Sequence, residues 1–91
     1  MDIRLYNKIK RLVLIKLFNR KMWMYKHTNI NNIPKGLDPK LKQSKEMKKV
    51  INDLIKGNWL IVKPTHYGLE ISLNIKNKKE IEEFIEGDNE N

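Results

Sequence analysis

Ser44-Lys45-Glu46-Met47-Lys48-Lys49-Val50-Ile51-Asn52-Asp53-Leu54-Ile55-Lys56-Gly57 is the stretch on which the fold turns. Met47, Val50, Ile51, Leu54 and Ile55 recur at i, i+3, i+4, i+7 and i+8, the spacing of one helical face, and Gly57-Asn58 supplies a stop. On a helical projection Lys45, Lys49, Asn52 and Lys56 fall opposite that face, Lys48 lies on one flank, and Glu46 and Asp53 lie on the other. The basic face is therefore predicted to be free of acids. Lysines that only solubilise a surface are expected to alternate with acids in i, i+4 pairs.

Toward the C-terminus, Trp59-Leu60-Ile61-Val62-Lys63 has the β-branched and aromatic content of a strand. Pro64-Thr65-His66-Tyr67-Gly68 reads as a turn, and Leu69 to Asn74 alternates apolar and polar with period two, so a hairpin with one buried face is predicted. Asn77 with Glu80 three residues on is a capping-box variant opening a short helix whose Ile81, Phe84 and Ile85 share a face. Residues 87–91 are polar and expected to fray.

Toward the N-terminus, Asp38-Pro39 is a cap followed by proline at a first helical position, carrying Leu41, with a break near Lys42 to Ser44. Pro34 and Gly36 mark a turn, preceded by a brief helical turn with Ile30 and Ile33 that Thr28 is expected to cap. Tyr25 to Thr28 reads as extended. A first helix is predicted from Asp2, as N-cap, to about Asn19, with Leu5, Ile9, Leu12 and Val13 on one stripe. Its second half is apolar on more than one side. Leu14, Ile15, Phe18, Met22 and Trp23 exceed what one small core requires, so either the C-terminal helix or a second copy must cover them; a homodimer interface is expected there.

Composition narrows the function classes. The 91 residues hold 19 Lys plus Arg, 11 Asp plus Glu and no cysteine. A chain this short buries one modest core, leaving little room for a catalytic cleft, and a single domain over residues 1–86 is expected. Residues 1–69 carry 16 cations against four acids, +12, while residues 70–91 carry three against seven, −4. Such asymmetry points to a polyanion-binding body with an acidic end; lysine-rich usage that merely solvates the surface is the alternative. Without cysteine, disulfides and thiolate chemistry are excluded, and an intracellular, cytoplasmic setting is expected. The apolar run Leu12 to Phe18 is broken by Lys16 and is far short of the roughly 20 residues of a membrane span. His27 and His66 have no neighbouring carboxylate at ligand spacing, and the acids Glu80, Glu82, Glu83 and Glu86 sit on a solvated helix. No catalytic residue set, metal site, cofactor or small-molecule ligand is expected.

The order helix, short extended piece, short helix, turn, strong helix, hairpin, helix is that of a winged helix-turn-helix domain. The run from Gln43-Ser44-Lys45-Glu46 through Gly57-Asn58-Trp59-Leu60-Ile61 resembles the recognition helix and first wing strand of archaeal and bacterial winged-helix regulators. From Ile33-Pro34-Lys35-Gly36 to Leu73-Asn74 the chain is similar to small archaeal winged-helix proteins of unassigned function. The resemblance spans about the last two thirds and implies an α+β, mainly α, fold: a three-helix core, a C-terminal β-hairpin wing and an added C-terminal helix. It also implies double-stranded DNA as partner, with residues 44–57 as recognition helix and 63–69 as wing. Gln43, Ser44, Lys45, Lys48, Lys49, Asn52 and Lys56, with Lys63, His66 and Tyr67 on the wing, are the expected DNA-binding residues. Lysines would meet phosphates, and the Gln43 and Asn52 amides would suit adenine. Transcription regulation is the leading expectation; a protein-interaction module in a larger assembly and a chromatin-like, non-specific DNA binder are the rivals.

Overall fold

Asp2 opens the first helix as its sequence requires: its carboxylate accepts from the backbone N–H groups of Arg4 (3.0 Å) and Leu5 (3.2 Å). A computed structural model describes residues 1–87. Helix α1 spans Ile3–Asn19; strand β1, Thr28–Asn29, leads through a 3-10 turn, Ile30–Asn32, to α2, Pro39–Lys42. Then follow α3 (Lys45–Lys56), β2 (Leu60–Thr65), β3 (Gly68–Leu73), a second 3-10 turn (Ile75–Asn77) and α4 (Lys78–Gly87). The chain is α+β and mainly helical, with one antiparallel sheet in the order β1-β3-β2. The expected polar tail lies outside the described residues from 88 on, and Gly87 closes α4.

The periodicity of α1 and α3 becomes the core. Ile9, Val13, Leu14 and Leu17 face Met47, Val50 and Leu54, and the sheet adds Leu60, Ile71 and Leu73, all at 3% exposure or less. Burying each such side chain contributes about 1.5–3 kcal/mol. Both long helices end alike. At α3 the Asn58 N–H donates to Ile55 O and the Trp59 N–H to Leu54 O, with Asn58 at φ 64°; at α1 Lys21 (φ 55°) and Met22 donate to Phe18 and Leu17. Asn58, rather than Gly57, is thus the left-handed residue of the predicted stop.

Several expected features shift. Helix α2 is a single turn with no fully buried residue, its Leu41 packing half-buried against the core, and α4 adds a packed helix through Ile81. Asp38 does cap α2, accepting from Lys40 N–H at 2.9 Å. Asn29, not Thr28, caps the first 3-10 turn, and Asn74, not Asn77, caps the turn that leads into α4. Strand β2 starts at Leu60 rather than Trp59 and runs on through Pro64, which the sheet tolerates because β2 is an edge strand.

Much of the apolar surplus at the end of α1 packs inside the chain. Leu14 is fully buried, and Phe18, Met22 and Trp23 pack half-buried against the core, with the Phe18 and Trp23 rings edge-on at 5.9 Å. Residues 22–24 lie beside the end of β3, where Leu73 N–H donates to Met22 O at 2.6 Å and Met24 N–H to Leu73 O at 3.2 Å. Leu14 therefore presents nothing to a second copy, and of the five residues expected at a dimer interface only half-buried Ile15 is outside this packing. Lys10 reaches over Trp59 (4.7 Å) and Phe84 (4.5 Å); burial, opposed by the Asp53 charge, lowers its pKa. Its ammonium bridges α1, α4 and the start of β2 by cation–π attraction.

Two polar latches join α1 to α3. The Asp2 N–H donates to Glu46 Oε2 at 2.9 Å, and the Tyr6 hydroxyl donates to Asp53 Oδ2 at 2.5 Å. Hydrogen bonds from Asp2 and from Glu46's own backbone hold the Glu46 carboxyl below its ordinary pKa. The Tyr6 bond does the same, first among causes, for Asp53. Burial, then the Asp53 bond and charge, push Tyr6 up to about 12. The signs give a two-sided pH profile. The carboxylates add stability that is present above their unfolded values, near about pH 4, and lost as pH falls through the lower folded ones. Tyr6 adds stability that is full below its ordinary value of 10.0 and is lost as pH rises through about 12. Urea midpoints of wild type and Tyr6→Phe should differ at neutral pH, with the variant weaker by about 1 kcal/mol, and the gap should close on the alkaline side; a gap constant to high pH would refute the Tyr6–Asp53 latch.

Candidate nucleic-acid interface

Helix α3 carries its inner face into the core and its acid flank toward α1, which leaves the outer face to be formed by lysine. Lys45, Lys48, Lys49, Asn52 and Lys56 are all exposed. Glu46 lies beside them in sequence but is 5% exposed, turned to the Asp2 latch. Lys45, Lys48 and Lys56 make no ion pair and Asn52 makes no side-chain hydrogen bond among the described residues.

One correction falls on this face. Asp53 is not wholly off it: besides Tyr6 it accepts from Lys49 Nζ at 3.2 Å, an i, i+4 pair. Lys49 is the one lysine of α3 that makes an ion pair among the described residues. Ser44 has a structural role. Its hydroxyl accepts from Met47 N–H (3.2 Å) and donates to Leu41 O (2.8 Å), so it holds the α2–α3 junction and caps α3. Gln43 is exposed at the end of α2, outside α3 itself.

The hairpin tip is tighter than the five-residue turn expected. Thr65 pairs with Gly68, leaving His66 and Tyr67 as the loop. Thr65 Oγ1 donates to Gly68 O (2.9 Å) and accepts from Tyr67 N–H (3.2 Å). The positive φ falls on Gly68, at 108°, which closes the turn without side-chain strain. Asn29 of β1 braces the tip from the side by donating to Tyr67 O at 2.9 Å. His66 is exposed and Tyr67 is 86% exposed, so the ring stands out from the sheet. Lys63, expected near the tip, instead lies along β2 opposite Glu70, whose carboxylate is paired with His27 Nδ1 at 2.9 Å. An acid thus sits beside the wing's only lysine.

Sequence reasoning missed the Tyr6–Asp53 and His27–Glu70 pairs and the Asn29 brace, each joining residues at least 38 positions apart. The Lys49–Asp53 pair was within reach of the i, i+4 rule. No group of three metal-ligating side chains occurs among the described residues, and no described helix is long and apolar enough to cross a membrane. Compared with known proteins, the chain matches no family model, no curated protein and no solved structure.

Ser44 and Lys45 should separate structural from binding roles. Ser44→Ala should lower unfolding free energy by about 1 kcal/mol through loss of the cap while changing affinity for a DNA duplex less than about twofold. Lys45→Ala should do the reverse, with stability held within about 0.5 kcal/mol and the duplex bound more weakly. Chemical denaturation and fluorescence anisotropy read the two quantities.

Proposed function

We propose that the chain is a winged-helix DNA-binding protein, with α3 as the helix that enters the major groove and the β2–β3 hairpin as the wing on the flanking backbone, acting in transcription regulation. The observation that carries this reading is one exposed helix face on which Lys45, Lys48 and Lys56 make no ion pair among the described residues, while Glu46 and Asp53 hydrogen-bond to Asp2 and Tyr6 and Asp53 pairs with Lys49 alone. A major groove admits one helix, and lysines on its exposed side reach the phosphates of both walls. The hairpin that follows α3 through the Asn58 stop, with its sheet completed by β1, supports the winged-helix form of that domain. The exposed, braced Tyr67 and His66 suit a minor groove or a phosphate beside it.

Contact with the backbone makes binding salt-dependent. If α3 and the wing together neutralise about four phosphates, the log–log slope of affinity against salt should be steeper than about −3. Changing Lys45, Lys48 and Lys56 together to Glu should cut affinity strongly and flatten the slope by about 3. Replacing His66 and Tyr67 by Ala should weaken binding with no loss of thermal stability. Unchanged affinity and slope in the lysine variant would overturn the reading and favour an acidic protein partner for the same face.

A further inference from the structure

The C-terminal end of α1 and the turn at residues 34–37 enclose an open notch of about 430 Å³, lined by Lys16, Arg20, Asn32, Lys35 and Gly36. No carboxylate lines it. Lys16 crosses its floor and donates to the carbonyl oxygens of Asn32 (2.6 Å), Ile33 (3.1 Å) and Lys35 (2.6 Å). Those bonds use all three ammonium protons, so Lys16 fixes the turn and supplies charge rather than a free donor. The turn itself closes by Leu37 N–H donating to Pro34 O at 3.2 Å, with Gly36 at φ 84°. Glycine at that position marks a type II turn, in which the Lys35 carbonyl is turned to the side where Lys16 captures it.

The donors left over all belong to the rim. Arg20 and Lys35 are exposed, and neither side chain has a hydrogen bond or ion pair among the described residues; the Gly36 N–H likewise has no acceptor there. A Cβ built on Gly36 would meet nothing within 4 Å, so the backbone is open to close approach. The three cations also feel one another: after burial, the charges of Arg20 and then Lys35 lower the Lys16 pKa. Concentrated positive charge, a planar guanidinium fork and an ammonium around one concavity match the several oxygens of a phosphate group.

We propose that this notch is a phosphate-binding site, distinct from the α3 face, which takes a phosphate group either from a nucleic-acid backbone or from a free phosphate. The site stands on α1 and the 34–37 turn and does not rest on α3 binding DNA. Amide-resolved NMR titration of the full chain with inorganic phosphate at constant ionic strength tests it. Saturable shifts are expected at the Lys35, Gly36 and Leu37 amides and at Arg20 Nε, absent with chloride. In Arg20→Gln/Lys35→Gln, both surface changes, phosphate should bind at least tenfold more weakly while the thermal midpoint is retained. Shifts that grow linearly with phosphate, or that survive in the double variant, overturn the site. A second arm with a DNA duplex separates the sources. A salt slope flattened by about 1 in the double variant assigns a backbone phosphate, and an unchanged slope with saturable inorganic phosphate assigns a free one. Failure of the duplex to bind wild type at all would overturn the α3 reading and leave the inorganic-phosphate result to stand or fall alone.

Discussion

Helix α3 carries two acids, and both are turned toward α1: Glu46 takes the Asp2 N–H and Asp53 takes the Tyr6 hydroxyl. The arrangement of the rest depends on this. A helix that buries a stripe of Met47, Val50 and Leu54 has three sides left, and the side nearest its neighbour is the place where a carboxylate can be satisfied with least exposure. Once the acids are spent there, the side facing away from the core holds lysine and asparagine with one partial exception at Lys49. Internal packing and surface charge are consequences of one sequence pattern, so the polar latches both set the position of α1 and sharpen the field of α3.

How far the sequence discloses this follows from the range of each interaction. Caps and stripes are local, and Asp2, Asp38, Ser44 and the Gly57-Asn58 stop are legible because their partners lie within a few residues. The hairpin is legible as two strands, yet its turn length is not, since Thr65 pairing with Gly68 depends on register and on the Asn29 brace from a strand 38 residues away. The lysine face is legible from the 3.6-residue period alone. The role of Lys63 is not, because the residue opposite it across the sheet is known only once β2 and β3 are aligned, and Glu70 then appears beside it. Ser44 shows the opposite case: its residue type fits both a cap and a DNA contact, and its hydrogen bonds to Met47 N–H (3.2 Å) and Leu41 O (2.8 Å) show the cap.

The apolar excess of α1 is largely taken up by packing inside the chain. Small domains bury a lower fraction of their surface, so elements outside the main core are recruited to cover apolar area. Here α4 does so with Ile81, and the 22–24 segment, held beside β3 by backbone hydrogen bonds to Leu73, does so with Met22 and Trp23. Lys10 adds a cation between the Trp59 and Phe84 rings, which lets a charged residue share the cover of aromatic surface without an acid partner in contact. Phe18, Met22 and Trp23 are therefore explained within one chain.

Under the proposed reading, the chemistry of the α3 face also bounds its selectivity. Lysine is a point charge that holds a phosphate without reading a base, whereas bidentate recognition needs a planar fork or an amide. Asn52 is the one exposed amide on α3, and a good bidentate contact discriminates by about 1–3 kcal/mol, against the roughly 4–10 kcal/mol that separates specific from non-specific binding in typical regulators. Direct readout by one copy thus falls short. The remainder has to come from groove shape sensed at the braced tip, where Tyr67 and His66 project, or from a second copy seated on a neighbouring half-site. A face built this way secures affinity first, so the distance between a regulator and a general DNA binder lies in the wing and in assembly rather than in the lysines.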